Sequence, residues 1–246
     1  MAEIRVASSA EAFINEAARH FVTAADQCIA GGGRFAVSLS GGGTPRPIYA
    51  ALADAPYRDQ IDWKKVDLFW GDERHVPPTD PDSNYRMVKE VLLDRVPIPE
   101  KNVYRVPAEM EVRMAAFSYE ETLRNYFRGE WPVFDLVYLG MGADGHTASL
   151  FPHSAGLNEE QRWFIANYAP GRETWRLTLS KHAINAARQI LVLVSGAGKA
   201  TRLQAVLTGP QQPEAMPIQL IHPVNGEIRW LVDEAAARLL PPERLS

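Results

Sequence analysis

One local pattern occurs four times in the chain: a short apolar segment runs directly into a polar loop that contains glycine. Each segment has the length of a buried strand. Stretches with helical spacing of apolar residues separate the segments. This alternation predicts an α/β fold, with a mostly parallel, doubly wound sheet that helices cover on both faces. The four predicted strands are Arg34–Ser40, Lys65–Trp70, Phe134–Leu139 and Gln189–Ser195.

The remaining segments fit the same fold, and residues 1–246 are interpreted as one domain because no linker or repeat is visible. The first helix is predicted to begin at an S-x-x-E capping box at Ser8 and to end at Gly31. Further strands are predicted at Trp163–Ala166, Trp175–Leu179 and Ile228–Val232. Further helices are predicted after Pro45 and at Asn84–Leu93, Val112–Phe127, Ala183–Ala187 and Lys199–Leu207.

The polar loops after the four strands indicate where a ligand would bind. Ligands of open α/β sheets bind beyond the carboxyl ends of the strands. If the four strands are parallel neighbours, their loops meet in one cleft. The loops comprise residues 40–44, 71–75, 140–146 and 196–199.

The first of these loops reads S-G-G-G-T from Ser40 to Thr44 and precedes a predicted helix. Consecutive backbone N–H groups at a helix start are typical of an anion site, most often for phosphate. A plain tight turn is the alternative explanation. No lysine follows at Walker spacing, and Gly41, Gly42 and Gly43 do not form a G-x-G-x-x-G fingerprint.

Two cations could complete a phosphate site. Lys199 follows the glycine turn at the end of the fourth strand, and Arg176 lies on a predicted strand. Both side chains can make charge-assisted hydrogen bonds to phosphate. Taken separately, each is also typical of a solvated surface charge.

The second loop, G-D-E-R-H, is strongly polar. Asp72 and Arg74 could face the cleft and recognise hydroxyl groups or a developing anion. The alternative is a solvated loop, in which Glu73 and His75 have no further role.

The third loop places Asp144 two residues before His146 in a glycine-framed turn. An aspartate at that spacing can set the tautomer of a histidine that acts in acid–base catalysis. A lone histidine is more often structural or on the surface. No convincing third ligand accompanies His146 and His153, so a zinc site is not predicted.

Composition limits the classes of partner. The formal net charge of −4 argues against a nucleic-acid or anionic-membrane partner, because either usually requires a basic face. No segment approaches the roughly 20 apolar residues of a membrane span, and the first residues do not resemble a secretory signal. Cys28 is the only cysteine, which excludes an intrachain disulfide. A cytoplasmic protein is therefore expected.

These motifs are similar to those of the 6-phosphogluconolactonase family, the lactone hydrolases of the oxidative pentose phosphate pathway. The run D-G-H-T-A-S-L-F-P from Asp144 to Pro152 is highly specific. The resemblance covers nearly the full chain in order. The stretches that carry it are Ser38–Ala53, Asp67–Val88, Phe134–Pro152 and Ile184–Ala200.

The resemblance implies hydrolysis of 6-phospho-D-glucono-1,5-lactone to 6-phospho-D-gluconate, with no metal and no cofactor. By the same likeness the substrate phosphate binds the loop from Ser40 to Thr44 and the side chains of Arg176 and Lys199. Asp72 is expected to contact the substrate. The resemblance also suggests functional coupling to glucose-6-phosphate dehydrogenase, which makes the lactone.

The expected chemistry needs a base and an oxyanion donor. His146, oriented by Asp144, is expected to act as general base on the water that attacks the lactone carbonyl. Arg74 or a backbone N–H is the expected donor to the oxyanion.

Two other functions remain open from the sequence. Amino-sugar-phosphate deaminases and isomerases share the fold, and Asp72 matches their proton-abstracting aspartate. They carry a glutamate where this chain has Phe151 and usually a tyrosine where it has Arg74, and both departures favour a lactonase. A non-catalytic sugar-phosphate sensor is the third hypothesis. Such regulators usually carry a DNA-binding module, for which no room is expected before the first helix.

Overall fold

A computed structural model describes residues 3–242 of the chain. Seven strands form one parallel sheet in the order β1-β10-β9-β6-β2-β3-β5, which confirms the predicted mostly parallel α/β fold. These strands are β1 (Glu3–Ala7), β2 (Phe35–Leu39), β3 (Val66–Trp70), β5 (Val103–Tyr104), β6 (Leu136–Gly140), β9 (Gln189–Val194) and β10 (Glu227–Asp233).

The central strands are buried on both faces. Every residue of β2 and of β3 is buried, although successive side chains point to opposite faces of the sheet. Parallel sheets covered on both sides have this continuous apolar pattern. The buried apolar side chains form one contiguous core, whose members come from the whole described chain, from Ile4 in β1 to Leu240 after α7.

Seven α-helices accompany the sheet within residues 3–242. The first is capped by Ser9, whose hydroxyl accepts from the N–H of Ala12 at 3.0 Å, so the predicted cap at Ser8 is wrong by one residue. The helices are α1 (Ala10–Ala30), α2 (Arg46–Leu52), α3 (Asn84–Val91), α4 (Val112–Phe127), α5 (Lys181–Asn185), α6 (Ala200–Thr208) and α7 (Glu234–Ala237).

A second, antiparallel sheet was not predicted. It has the order β4-β8-β7, with β4 (Asp72–Arg74), β7 (Phe164–Ala169) and β8 (Thr174–Leu179). The prediction that residues 71–75 form only a loop is therefore wrong, because pairing with β8 extends the chain at 72–74. Helix α4 packs against β7 and β8. The short edge strands β1 and β5 were also missed.

The order of the central strands brings the polar loops together. Strands β9, β6, β2 and β3 are adjacent and parallel, so the loops that follow them lie at one edge of the sheet. Within residues 3–242, no helix combines the length and the apolar run needed to cross a bilayer.

Candidate active site

A cavity of about 230 Å³ opens at the carboxyl edge of the central strands. All four polar loops contribute to its wall, which confirms that they converge. Its lining consists of Ser40, Gly41, Gly42, Gly43, Thr44, Pro45, Asp72, Arg74, Asn84, Gly140, Met141, Gly142, His146, Ala148, Leu193, Ser195 and Lys199.

The glycine loop offers hydrogen-bond donors that the protein itself does not use. Within residues 3–242, none of the backbone N–H groups of 41–44 donates to a protein acceptor. The start of the loop is fixed, because the Tyr49 hydroxyl accepts from the N–H of Ser40 at 3.1 Å and donates to its carbonyl at 3.0 Å. The buried Ser40 hydroxyl has no hydrogen-bond partner among the described residues. A fixed loop with free donors is suited to bind an anion.

Asn84 explains why position 41 is glycine. A Cβ at Gly41 would lie 1.7 Å from Oδ1 of Asn84, so any larger residue would displace this amide. Asn84 is buried at the start of α3 and lines the cavity. Its Oδ1 has no hydrogen-bond partner in the part of the chain that the structure describes. The sequence reasoning missed this residue. Its only local signal is the S-N-Y sequence of a helix start.

Asp72 is buried and faces the cavity from β4. The Ser149 hydroxyl donates to Oδ2 of Asp72 at 2.7 Å, and the side-chain amide of Asn84 donates to the backbone carbonyl of Asp72 at 2.9 Å. These contacts hold the carboxylate in place. The remaining carboxylate capacity is available to hydroxyl groups of a ligand.

Glu73 does not lie in a solvated loop, and that interpretation is wrong for it. It is 2% exposed and accepts the backbone N–H groups of Arg74, Asn84 and Tyr85 at 2.8, 2.7 and 2.8 Å. Burial raises the pKa of the Glu73 carboxyl, although these N–H groups oppose the rise. Glu73 therefore ties β4 to the start of α3. His75 lies outside the cavity wall, with Nε2 2.8 Å from the carbonyl of Met110.

Three cations at this edge lack carboxylate partners. Arg74 and Arg176 are opposite each other in the β4–β8 pairing, and neither forms an ion pair within residues 3–242. The same holds for Lys199, which lines the cavity. Burial, together with the charge of Arg74, lowers the pKa of Arg176. Unpaired like charges that are close together favour a bound anion.

The three cations do not all reach the cavity. Arg74 and Lys199 line it. Arg176 does not, and its guanidinium donates to Oγ1 of Thr174 at 3.0 Å and to the backbone carbonyl of Trp175 at 3.1 Å. The Arg74 guanidinium also donates to the carbonyl of Asp82 at 2.5 Å.

Asp144 and His146 form a hydrogen-bonded pair at the cavity wall. Nδ1 of His146 lies 2.5 Å from Oδ1 of Asp144, which also accepts the His146 backbone N–H at 3.1 Å. Burial alone would raise the pKa of Asp144, but these hydrogen bonds and the charges of His146 and Arg172 hold it below its usual value. An ionised Asp144 requires a proton on Nδ1 of His146. In the neutral imidazole, Nε2 then carries no proton and can accept one.

Gly142 makes room for this pair. A Cβ at Gly142 would lie 2.0 Å from Nδ1 of His146 and 2.4 Å from Oδ1 of Asp144. The ring of Phe151 packs against the imidazole, with the ring centres 4.7 Å apart. Across the described part of the chain, no group of three His, Cys, Asp or Glu residues could hold a metal ion.

Comparison with known sequences assigns the family. Residues 8–230 match the sequence model of the family described as glucosamine-6-phosphate isomerases/6-phosphogluconolactonase. The chain belongs to this family. The family membership predicted from the sequence motifs is confirmed.

Individual relatives extend the comparison. The 6-phosphogluconolactonase of Haemophilus influenzae is 41% identical over 206 residues, which cover 83% of this chain and 87% of the relative. That of Synechocystis is 41% identical over 220 residues, which cover 88% and 89%. The structure of 6-phosphogluconolactonase from Trypanosoma cruzi matches with a TM-score of 0.87 at 26% identity, covering 98% of this chain and 97% of that one.

Proposed function

We propose that this family member hydrolyses 6-phospho-D-glucono-1,5-lactone to 6-phospho-D-gluconate, the lactonase step of the oxidative pentose phosphate pathway. One observation carries the proposal: the Asp144–His146 pair and the free N–H groups of the glycine loop line the same cavity. A base and an anion site in one cavity suit a phosphorylated ester. The 41% identity to lactonases over most of the chain supports the same substrate.

The phosphate of the substrate binds the loop that comprises Ser40, Gly41, Gly42, Gly43 and Thr44. The unused N–H groups donate to the phosphate oxygens, and the unpartnered Ser40 hydroxyl adds a donor. Lys199 supplies a charge-assisted hydrogen bond from across the cavity. Arg176, opposite Arg74 on β8, contributes its positive charge, and direct contact with phosphate would require a change in its side-chain conformation.

His146 is the general base. With Nδ1 donating to Asp144, Nε2 takes a proton from the attacking water as its oxygen adds to the lactone C1 carbon. The C1 carbonyl oxygen becomes an oxyanion, for which the Arg74 guanidinium is the donor. When the bond between C1 and the ring oxygen breaks, the imidazolium returns its proton to that oxygen. The chain then needs no covalent intermediate, because a lactone is already an activated ester.

Two features favour lactone hydrolysis over amino-sugar-phosphate chemistry. The apolar ring of Phe151 packs against the imidazole of His146, so this position supplies no carboxylate for opening a sugar ring. Arg74 stands beside Asp72 and brings a cation suited to an oxyanion.

Lactone decay tests the proposal. Substrate is generated from glucose 6-phosphate, and its decay is followed with and without the protein, and with EDTA. Faster decay that EDTA does not change is the expected result. Decay at the spontaneous rate would contradict the proposal, and turnover of glucosamine 6-phosphate would replace it with the deaminase function.

The proposal includes functional coupling to glucose-6-phosphate dehydrogenase in the cytoplasm. That enzyme makes the lactone, so a lactonase beside it removes the product before it accumulates. We expect the purified protein to increase the flux through the dehydrogenase. We also expect to recover this protein in the cytosolic fraction of cells. An unchanged flux would contradict the coupling.

A further inference from the structure

The turn between β7 and β8 places one side chain against the outer side of the Asp144–His146 pair. A guanidinium nitrogen of Arg172 lies 3.6 Å from Oδ2 of Asp144, the carboxylate oxygen that His146 does not use. The central carbon of this guanidinium, Cζ of Arg172, lies 4.9 Å from the centre of the Phe151 ring. Since that ring packs on the imidazole, Arg172 contacts both neighbours of His146.

The backbone of the turn accounts for this position. Gly171 and Glu173 both adopt positive φ values, 75° and 49°, on either side of Arg172. The N–H of Arg172 donates to the carbonyl of Ala169 at 3.2 Å. A non-glycine residue in the left-handed region costs free energy, so the turn is held by its surroundings. The turn of the second sheet thus brings Arg172 to the loop that follows β6 in the first sheet.

We propose that Arg172 is a positioning residue for the Asp144–His146 pair, an inference that rests on the proposed function. It acts by charge and by contact. Its cation competes with a protonated His146 for Asp144, which favours the neutral imidazole that a general base requires. Its stacking holds Phe151 against the imidazole and limits rotation of that ring.

Other charges also face the pair. Arg202 of α6 donates to the carbonyl of Ala143 at 3.2 Å. Asp72 and Arg74 of β4, and Lys199 from the turn before α6, face the same cavity as His146. Among the arginines and lysines of residues 3–242, Arg172 is the one that forms an ion pair with Asp144. Removing the Arg172 side chain should therefore change the Asp144–His146 pair in a way that removing another cation does not.

The sign of the effect follows from the charges. Removing a cation beside the pair makes protonation of His146 more favourable. The acid limb of the pH profile of kcat/KM should then move to higher pH in Arg172→Gln, by about half a pH unit at low salt. Arg172→Lys keeps the charge and should keep the wild-type acid limb. The difference between Arg172→Gln and wild type should shrink in 1 M salt, because a partly exposed ion pair is screened.

Arg58→Gln is the matched control. Arg58 forms an exposed ion pair with Asp59 before β3, so this variant changes the net charge equally without touching the pair. It should leave the acid limb unchanged. An unchanged acid limb in Arg172→Gln, an equal shift in Arg58→Gln, or a Lys variant that behaves like the Gln variant would overturn the inference.

The same shift is measured without catalysis by NMR titration of the His146 imidazole, assigned with His146→Gln. This readout separates the two proposals. If the protein fails to hydrolyse the lactone but the His146 titration moves in Arg172→Gln, the proposed function fails while the contact holds. If lactone is hydrolysed and the titration does not move, Arg172 has no such role.

Discussion

The two edges of the main sheet differ in how their charged side chains are paired. At the amino edge, Arg34 makes two hydrogen bonds to Asp67, at 2.5 and 2.7 Å, and Arg188 lies 3.2 Å from Asp135. At the carboxyl edge, the cations Arg74, Arg176 and Lys199 have no carboxylate partner within residues 3–242. Paired charges contribute to stability, whereas unpaired charges are available to a ligand. Substitutions at the carboxyl edge should therefore change kinetics, and those at the amino edge should change stability.

The largest effect is expected at His146. His146→Gln removes the proposed general base, and kcat should fall by about 10²–10⁴-fold, or about 3–5 kcal/mol of transition-state stabilisation. Its thermal unfolding should be unchanged. The control is His75→Gln, which alters a histidine outside the cavity wall and should keep wild-type kcat. Full turnover by His146→Gln would remove this residue from the mechanism.

The next effect is at the glycine beside the pair. Gly142→Ala places a Cβ 2.0 Å from Nδ1 of His146, so the imidazole must move and kcat should fall about 100-fold. Gly31→Ala at the exposed end of α1 is the control, since a Cβ there meets no atom closer than 3.6 Å and lies outside the cavity wall. Steady-state kinetics of both variants test whether the site depends on the position of the imidazole. Equal kcat values in the two variants would contradict this account.

A smaller effect is expected at the phosphate site. Lys199→Ala removes the charge-assisted contact that we propose to the phosphate, and KM should rise about tenfold while kcat changes less. The penalty should disappear with an unphosphorylated lactone. Lys89→Ala, which changes an exposed lysine paired with Asp94 on α3, should leave KM unaltered. An unchanged KM together with a lowered kcat would place Lys199 at the reacting carbonyl instead.

The smallest effect is expected at the amino edge, and it concerns stability. Asp67→Asn weakens the contacts to Arg34 and to the Tyr126 hydroxyl, and the free energy of unfolding should fall by about 1 kcal/mol because Arg34 is partly exposed. Denaturant unfolding measures this loss. Asp59→Asn at an exposed ion pair should cause none. A fall in kcat for Asp67→Asn would contradict the separation of the two edges.

Sequence reasoning predicted the central strands well and the edges poorly. The apolar runs of β2, β3, β6 and β9 are buried on both faces, so the hydrophobic pattern alone identifies them. The two-residue strand β5 has too little length for such a pattern. Strand β4 is polar because it faces a cavity, and its pairing depends on β8, about 100 residues later in the chain.

The candidate site also has features that local sequence sets and features that contacts between distant residues set. The glycine loop and the Asp144–His146 spacing are local, because a few consecutive residues set the free N–H groups and the hydrogen bond of the pair. Sequence alone therefore determined the loop with free N–H groups and the hydrogen-bonded Asp144–His146 pair. Asn84 beneath Gly41 and Arg172 beside Asp144 were decided by tertiary structure. Each is brought to its partner by packing between elements, and such long-range contacts leave no periodic signal in the chain.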